Sequence, residues 1–290
     1  MKFKLIEPVT WSEAVHFLQE YGENVSVMAG GTDLLVRIKR GIKKPAHVLS
    51  LAGISGTDTV KYIPGKGLEI GAMVTHGQIA NNSIVTAKFA ALAKACATVG
   101  SPQIRNSGTL AGNLANASPA ADTAPALLAL GAEITARGAK GTRRISLDNF
   151  FLGPGQTALE GEMIESIIIP DPEPCSFNTF MKLGRRKALE IAICSVAVSA
   201  VVHQNKWKNV RIAMGAVAPT PVISDRAGQV LENNVWSPDV IAEAANIAAE
   251  AAQPIDDVRA SAGYRKDMIK VLISRAMQEL IRQARGECSE

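Results

Sequence analysis

Residues 100–122 read GSPQIRNSGTLAGNLANASPAAD, a run of Gly, Ala, Ser, Thr and Asn with few bulky side chains. It is longer than an ordinary connection, and long ordered loops of that kind usually carry a function. Small side chains let a backbone approach a flat ring or a phosphate closely. Thr109, Asn113 and Ser118 add hydroxyl and amide partners, and Asp122 adds an acceptor for hydroxyls or amides. The competing use of such residues is a loop that satisfies its own backbone through Asx and Ser/Thr turns. Upstream, residues 28–34 read MAGGTDL, between a short strand-like run at 25–28 and a helical stretch. Adjacent glycines at 30 and 31 allow backbone N–H groups to converge on one concavity, which suits pyrophosphate oxygens. Taken alone, the same residues read as a plain left-handed turn.

Working outward, strand Phe3–Ile6 precedes a helix opened by Thr10, with Glu13 three residues on and an apolar stripe of Trp11, Val15, Leu18 and Tyr21. A strand at His47–Leu51 closes this first unit. Strands Thr59–Ile63 and Leu68–Ala72 flank the turn Pro64-Gly65-Lys66-Gly67, so a second unit begins near residue 58. Helical sequence then fills 75–99, breaking near Asn81-Asn82. After the long loop come helix Thr123–Leu130 and strands Ala132–Ala136 and Met163–Ile169. The proline-rich break at 170–174 sets a domain boundary, giving expected domains of 1–172 (parts of about 1–57 and 58–172) and 173–290. In the second domain, strand runs Ala192–His203 and Val210–Val217 are joined by the turn Gln204-Asn205-Lys206. Helices Arg226–Leu231, Pro238–Ala252 after the cap Ser237, and Tyr264–Arg285 cover this antiparallel sheet.

The charge balance, +4 over 290 residues with the basic residues scattered, does not mark a nucleic-acid surface. No run of about 18 uninterrupted apolar residues suggests a membrane span, and MKFKLIEP lacks the features of a signal peptide, so a cytoplasmic location is expected. Cys96, Cys175, Cys194 and Cys288 lie far apart without metal-ligand spacing, and no metal site is expected; Cys96 and Cys194 read as core. His16, His47, His76 and His203 are isolated, and each reads as a satisfied structural residue rather than a catalyst. The segment Gly153-Pro154-Gly155-Gln156-Thr157-Ala158 matches the pattern GxGxxA. Proline in second position, an early Gly161 and a β-branched strand where a crossover helix belongs make it a turn, not a nicotinamide-binding motif.

The stretch VGSPQIRNSGTLAGNLANASPAAD resembles the second FAD motif of the flavoprotein subunits of molybdenum hydroxylases of the xanthine dehydrogenase and carbon monoxide dehydrogenase type, and MAGGTDLL resembles their first. The likeness continues through LDNFFLGPGQTAL, FMKLGRRKALEIAI, MGAVAPTPV and SAGYRKDMIKVLISRA, in family order over nearly the whole chain. The implied fold class is α+β: a two-part α/β FAD-binding domain (vanillyl-alcohol-oxidase/PCMH-like), then an antiparallel sheet with helices. By this resemblance Ala29, Gly30, Gly31, Thr32 and Asp33 hold the FAD pyrophosphate, with Met28 and Leu34 beside them as cofactor-binding residues. Gly100, Gly108, Thr109, Gly112, Asn113, Ser118 and Asp122 line the rest of the cofactor, and Lys182 approaches the isoalloxazine. Ala111 replaces a glycine of many relatives, and Phe180 replaces a tyrosine of some, which leaves only packing or stacking there.

The implied role is noncovalent FAD binding and electron transfer, with no catalytic acid or base on this chain. Molybdenum pterin would sit on a large partner subunit and 2Fe–2S clusters on a small one, with an external acceptor such as NAD. Two other readings stand beside it: a self-contained flavin oxidase, and a non-catalytic assembly protein that keeps the fold.

Overall fold

The computed structural model describes residues 2–186, 189–203, 206–232 and 234–287. The chain opens with β1 (Lys4–Ile6), α1 (Trp11–Tyr21), β2 (Val25–Met28), α2 (Leu34–Lys39) and β3 (His47–Ser50). The Thr10 hydroxyl accepts the Glu13 N–H at 3.2 Å, while the Glu13 carboxylate accepts the Val9 N–H at 2.8 Å, so both ends of the cap are satisfied. Trp11, Val15, Leu18 and Tyr21 pack on the core as one stripe. The three strands form a parallel sheet in the order β1-β3-β2. The glycine segment therefore leaves the carboxyl end of the parallel strand β2, the end at which such sheets bind ligands.

A second layer contains β4 (Val60–Ile63), β5 (Gly67–Gly71), α3 (His76–Ala80), α4 (Ser83–Lys88), α5 (Ala90–Thr98), α6 (Pro102–Ser107), α7 (Leu110–Asn116), α8 (Thr123–Ala129), β6 (Glu133–Gly138), β7 (Gly141–Ser146), β8 (Phe151–Gly153), β9 (Gln156–Thr157) and β10 (Met163–Ile169). Its five-stranded antiparallel sheet runs β4-β5-β10-β6-β7. The helical stretch after Thr75 breaks at Asn81-Asn82, where Asn82 caps α4, and again at Phe89. The expected loop at 100–122 is instead largely helical. Ser101 caps α6 with Pro102 in its first turn, and Thr109 caps α7, so the two hydroxyls start short helices inside a run that composition alone marks as loop. Strand β7 escapes the sequence reading because Gly141 to Arg144 are all exposed, which leaves no alternation of apolar residues at this sheet edge.

The remaining elements are β11 (Ser176–Leu183), β12 (Cys194–His203), β13 (Lys206–Gly215), β14 (Val222–Ile223), α9 (Asp225–Leu231), α10 (Pro238–Ala251) and α11 (Ala262–Glu287). The strands form one antiparallel sheet in sequence order, with α9, α10 and α11 contributing to the core on it. The second hairpin strand begins at Lys206, earlier than Val210; Gln204 and Asn205 of the expected turn lie outside the described residues, as does Cys288. Cys96 and Cys194 are buried in the two cores. No helix among the described residues is long and apolar enough to cross a membrane.

Strand β11 also goes unread in the sequence, because polar Asn178 and Thr179 occupy buried positions. Asn178 crosses to the helical layer: its Oδ1 accepts the Ala91 N–H at 2.8 Å and its Nδ2 donates to the Lys88 carbonyl at 3.0 Å. One side chain thereby satisfies both backbone groups at the joint between α4 and α5. Asn178→Leu strands these groups, and urea unfolding should show a loss of about 2–3 kcal/mol. A loss below about 0.5 kcal/mol would mean that the joint relaxes without it.

Candidate cofactor site

Gly30 has an ordinary backbone conformation, but a Cβ added to it would stand 1.8 Å from the Ser107 carbonyl oxygen. Gly31 has φ +72, and the atoms nearest its added Cβ would be in the side chains of Leu35 and Met28. The two glycines therefore do different things. Gly30 permits the first segment to lie against the end of α6, and Gly31 turns the chain into α2 through the left-handed region. Among the described residues none accepts a hydrogen bond from the amides of Gly30, Gly31, Thr32 or Asp33. Free amides along a concave surface are the donors an anionic group requires.

The facing wall is the segment 108–116. His76 donates its backbone N–H to the Gly108 carbonyl at 3.0 Å, and Leu110 donates to Val74 at 3.1 Å, so this wall is tied to the start of α3. Gly112 lacks the Cβ that would press at 2.9 Å on Thr109 Oγ1, and Ala111 takes the helical conformation its missing glycine put in question. Together the walls enclose a cleft of about 300 Å3, lined by Met28 to Leu34, Gly108, Thr109, Gly112 and Asn113 among others. That is at the small end for a cofactor pocket.

Several cleft residues were missed in the sequence. Arg37 and Lys43 bring positive charge, Glu162 brings a carboxylate, and His76, Asn116 and Gly155 line the wall. Arg37 and Lys43 carried no signal beyond membership of a basic surface stretch. Gly155 belongs to the glycine pattern set aside as a turn, and it is one: φ +72 between β8 and β9, with its N–H on the Ala117 carbonyl at 2.9 Å.

The expected hydroxyl ligands are partly engaged elsewhere. The Thr109 hydroxyl accepts from the Gly112 N–H at 3.0 Å, and the Ser118 hydroxyl accepts from Ala120 at 3.3 Å. These residues satisfy their own backbone. Asn113 Oδ1 accepts from the Thr123 hydroxyl at 2.6 Å, which leaves the amide nitrogen at the cleft. Gly100, Ser118, Asp122 and Lys182 do not line the cleft.

Asp122 and Lys182 instead form a buried pair at 2.6 Å, with side chains 8% and 10% exposed. Lys182 also donates to the Thr98 carbonyl at 3.3 Å. Asp122 Oδ1 is buried without a partner, an open acceptor beside the second motif. Burial raises the Asp122 carboxyl to about 6 against the opposing pull of Lys182. The second domain supports the motif at further points: Leu189 donates to the Gly100 carbonyl at 3.2 Å and Ala216 to the Pro119 carbonyl at 3.0 Å. Arg265 gathers these loops, donating to the carbonyls of Ile193 at 2.7 Å and Ala216 at 3.0 Å. Phe180 packs in the core of the first domain, so packing is what its ring supplies.

Two outcomes follow from this geometry. Gly30→Ala must part the two motif walls, whereas Gly31→Ala needs only side-chain movement plus about 1–2 kcal/mol of left-handed strain. Thermal unfolding and amide exchange at 107–113 should show the greater loosening in Gly30→Ala; equal effects would remove the backbone contact as the organising feature. Asp122 binds its proton more tightly in the folded state, so its contribution to stability is complete below the unfolded carboxyl range and is lost as pH rises through about 6. Lys182→Met should then destabilise the protein by about 3–5 kcal/mol at pH 8 and by clearly less at pH 5, where Asp122 is protonated. A pH-independent loss would show that Asp122 stays charged at pH 5.

The profile of the FAD binding domain in molybdopterin dehydrogenase matches residues 1–172, and that of the CO dehydrogenase flavoprotein C-terminal domain matches residues 179–280. The chain is 30% identical to the glyceraldehyde dehydrogenase medium chain of Sulfolobus acidocaldarius, covering 96% of this chain and 98% of that one. It is 29% identical to the nicotinate dehydrogenase FAD-subunit of Eubacterium barkeri, over 99% of each. The carbon monoxide dehydrogenase structure from Hydrogenophaga pseudoflava superposes with a TM-score of 0.92 at 28% identity, covering 96% of both chains. With its glycine-lined cleft and a fold shared end to end with these proteins, the chain belongs to the family of FAD-binding flavoprotein subunits of molybdenum-containing dehydrogenases.

Proposed function

We propose that the chain binds FAD noncovalently in the cleft between residues 28–34 and 108–113 and relays electrons within a larger complex. In this reading it takes electrons from the 2Fe–2S clusters of a small subunit, fed by a molybdenum-pterin large subunit, and delivers them to an external acceptor such as NAD. The observation that carries it is the row of unpartnered amides at Gly30 to Asp33, facing the second glycine segment across a cleft that also holds Arg37 and Lys43. The division near residue 172, with a further division near 57, follows the same reading. Bound FAD supplies the redox chemistry, accepting and releasing electrons without a protein acid or base.

This chain's residues bind and orient. The free amides, with Arg37 and Lys43, suit two phosphates. The amide nitrogen of Asn113 has no partner among the described residues and remains for a further polar group of the cofactor. Asp122 Oδ1, buried and unpartnered, suits an N–H donor, and Lys182 holds that carboxylate in place from the second domain. Ser118 and Gly100 shape the backbone of the second motif, and the Ser118 hydroxyl keeps its O–H free to donate.

The test is an FAD titration followed by visible absorbance. One FAD should bind per chain, and Arg37→Gln and Lys43→Gln should each weaken binding by about 1–2 kcal/mol, less at high salt. The loaded chain should keep its flavin oxidised when mixed anaerobically with heterocycles, aldehydes or acyl-CoA compounds, and be reduced by them once the partner subunits are present. Bleaching by such a compound without partners would favour a self-contained oxidase. Failure to bind FAD would favour an assembly protein.

A further inference from the structure

His76 stands at the start of α3 and lines the cleft, yet its side chain is buried, with the residue 2% exposed. It lies where the two glycine segments meet: a Cβ on Gly108 would be 3.4 Å from His76 Cδ2 and 3.4 Å from Thr32 Oγ1. Nδ1 is fully buried without a partner, and no described residue hydrogen-bonds to either ring nitrogen. The expectation of a satisfied structural histidine is therefore corrected here. An orphaned polar group inside a packed wall is costly, and an apolar ring of the same shape would avoid that cost.

The charged groups around it are Arg105 on α6 and, along the cleft, Asp33, Arg37, Lys43 and Glu162. Burial and the Arg105 charge push the imidazole down to about 4, so near neutral pH it is uncharged, with one ring nitrogen a donor and the other an acceptor. The neighbouring residues Gly30 to Asp33 line the same cleft, and their amides have no partner among the described residues.

We propose that His76 is a cofactor-contacting residue, donating a ring N–H to a phosphate oxygen of FAD at the seam between segments 29–34 and 108–113. The proposal rests on FAD occupying this cleft and adds a ligand from outside both glycine motifs. It is tested with three variants of the full chain, His76→Phe, His76→Asn and His76→Gln, and with 15N-histidine-labelled wild type. In His76→Phe, which keeps the ring and removes both nitrogens, FAD affinity should fall about ten-fold or more. The unfolding temperature of the FAD-free variant should stay at or above that of wild type, since no buried polar group is left orphaned. The 31P resonances of bound FAD should move relative to wild type.

One of the two amide variants should recover binding to within about three-fold, according to whether Nδ1 or Nε2 is the donor. In the wild type, a His76 nitrogen resonance should shift on saturation with FAD. Wild-type FAD affinity in His76→Phe with unmoved phosphorus resonances would overturn the proposal, as would nitrogen resonances of wild-type His76 that ignore FAD. The last measurement decides the matter even if His76→Phe does not fold. A wild-type chain that binds FAD while His76 stays silent refutes this contact alone; one that binds no FAD refutes the cleft assignment with it.

Discussion

The close approach of Gly30 to the Ser107 carbonyl is the constraint on which the site depends. Any side chain at residue 30 would fill space already taken by backbone, so the cleft needs the loop after β2 and the end of α6 to touch without a side chain between them. Each wall is fixed from behind. The first issues from a parallel strand, and the second is pinned to Val74 and His76 by backbone hydrogen bonds. Amides left without a protein partner by that arrangement are open to water in the free protein and available as donors when an anion arrives.

The second domain acts on the site through the loop that follows α7. Lys182 and Asp122 are withdrawn from water together, and such a pair is weak evidence for stability but strongly penalises loss of one member. Carbonyls at Gly100 and Pro119 receive N–H groups from Leu189 and Ala216, so both ends of the second motif are held by the neighbouring domain. Ala117 adds a further sign of constraint, ending α7 in the left-handed region at φ 46, where the Gly155 N–H meets its carbonyl. The second domain thus holds the loop of the second glycine segment in shape while the first supplies both walls of the cleft.

Much of this was legible in the sequence, and the parts that were not share physical causes. The stripe of α1, the break at Asn82, the cap at Ser237 and the long hairpin strands follow from periodicity and capping chemistry, which are local. The two short helices inside residues 102–116 were hidden because their composition is that of a loop, although Ser101, Pro102 and Thr109 are proper cap residues. Strands β7 and β11 were hidden because one is an exposed charged edge and the other buries Asn178 and Thr179 for partners distant in sequence. At the candidate site, motif likeness singled out Met28 to Leu34 and residues of the 108–113 wall, which line one cleft. It could not separate the roles of Gly30 and Gly31, nor place Asp122 and Lys182 in a pair, since those facts arise only in three dimensions. His76 looked isolated because its neighbours come from residues 32, 105 and 108.

The central claim is that the unpaired amides of Gly30 to Asp33 receive the cofactor's phosphates. Residue-resolved hydrogen–deuterium exchange with and without saturating FAD tests it most directly. These four amides should exchange rapidly in the free chain and slow by at least about ten-fold with FAD, together with residues 108–113, while residues 52–58, which line a separate cleft, are unchanged. Unchanged exchange at Gly30 to Asp33 in an FAD-saturated protein, or protection confined to residues 52–58, would contradict the account.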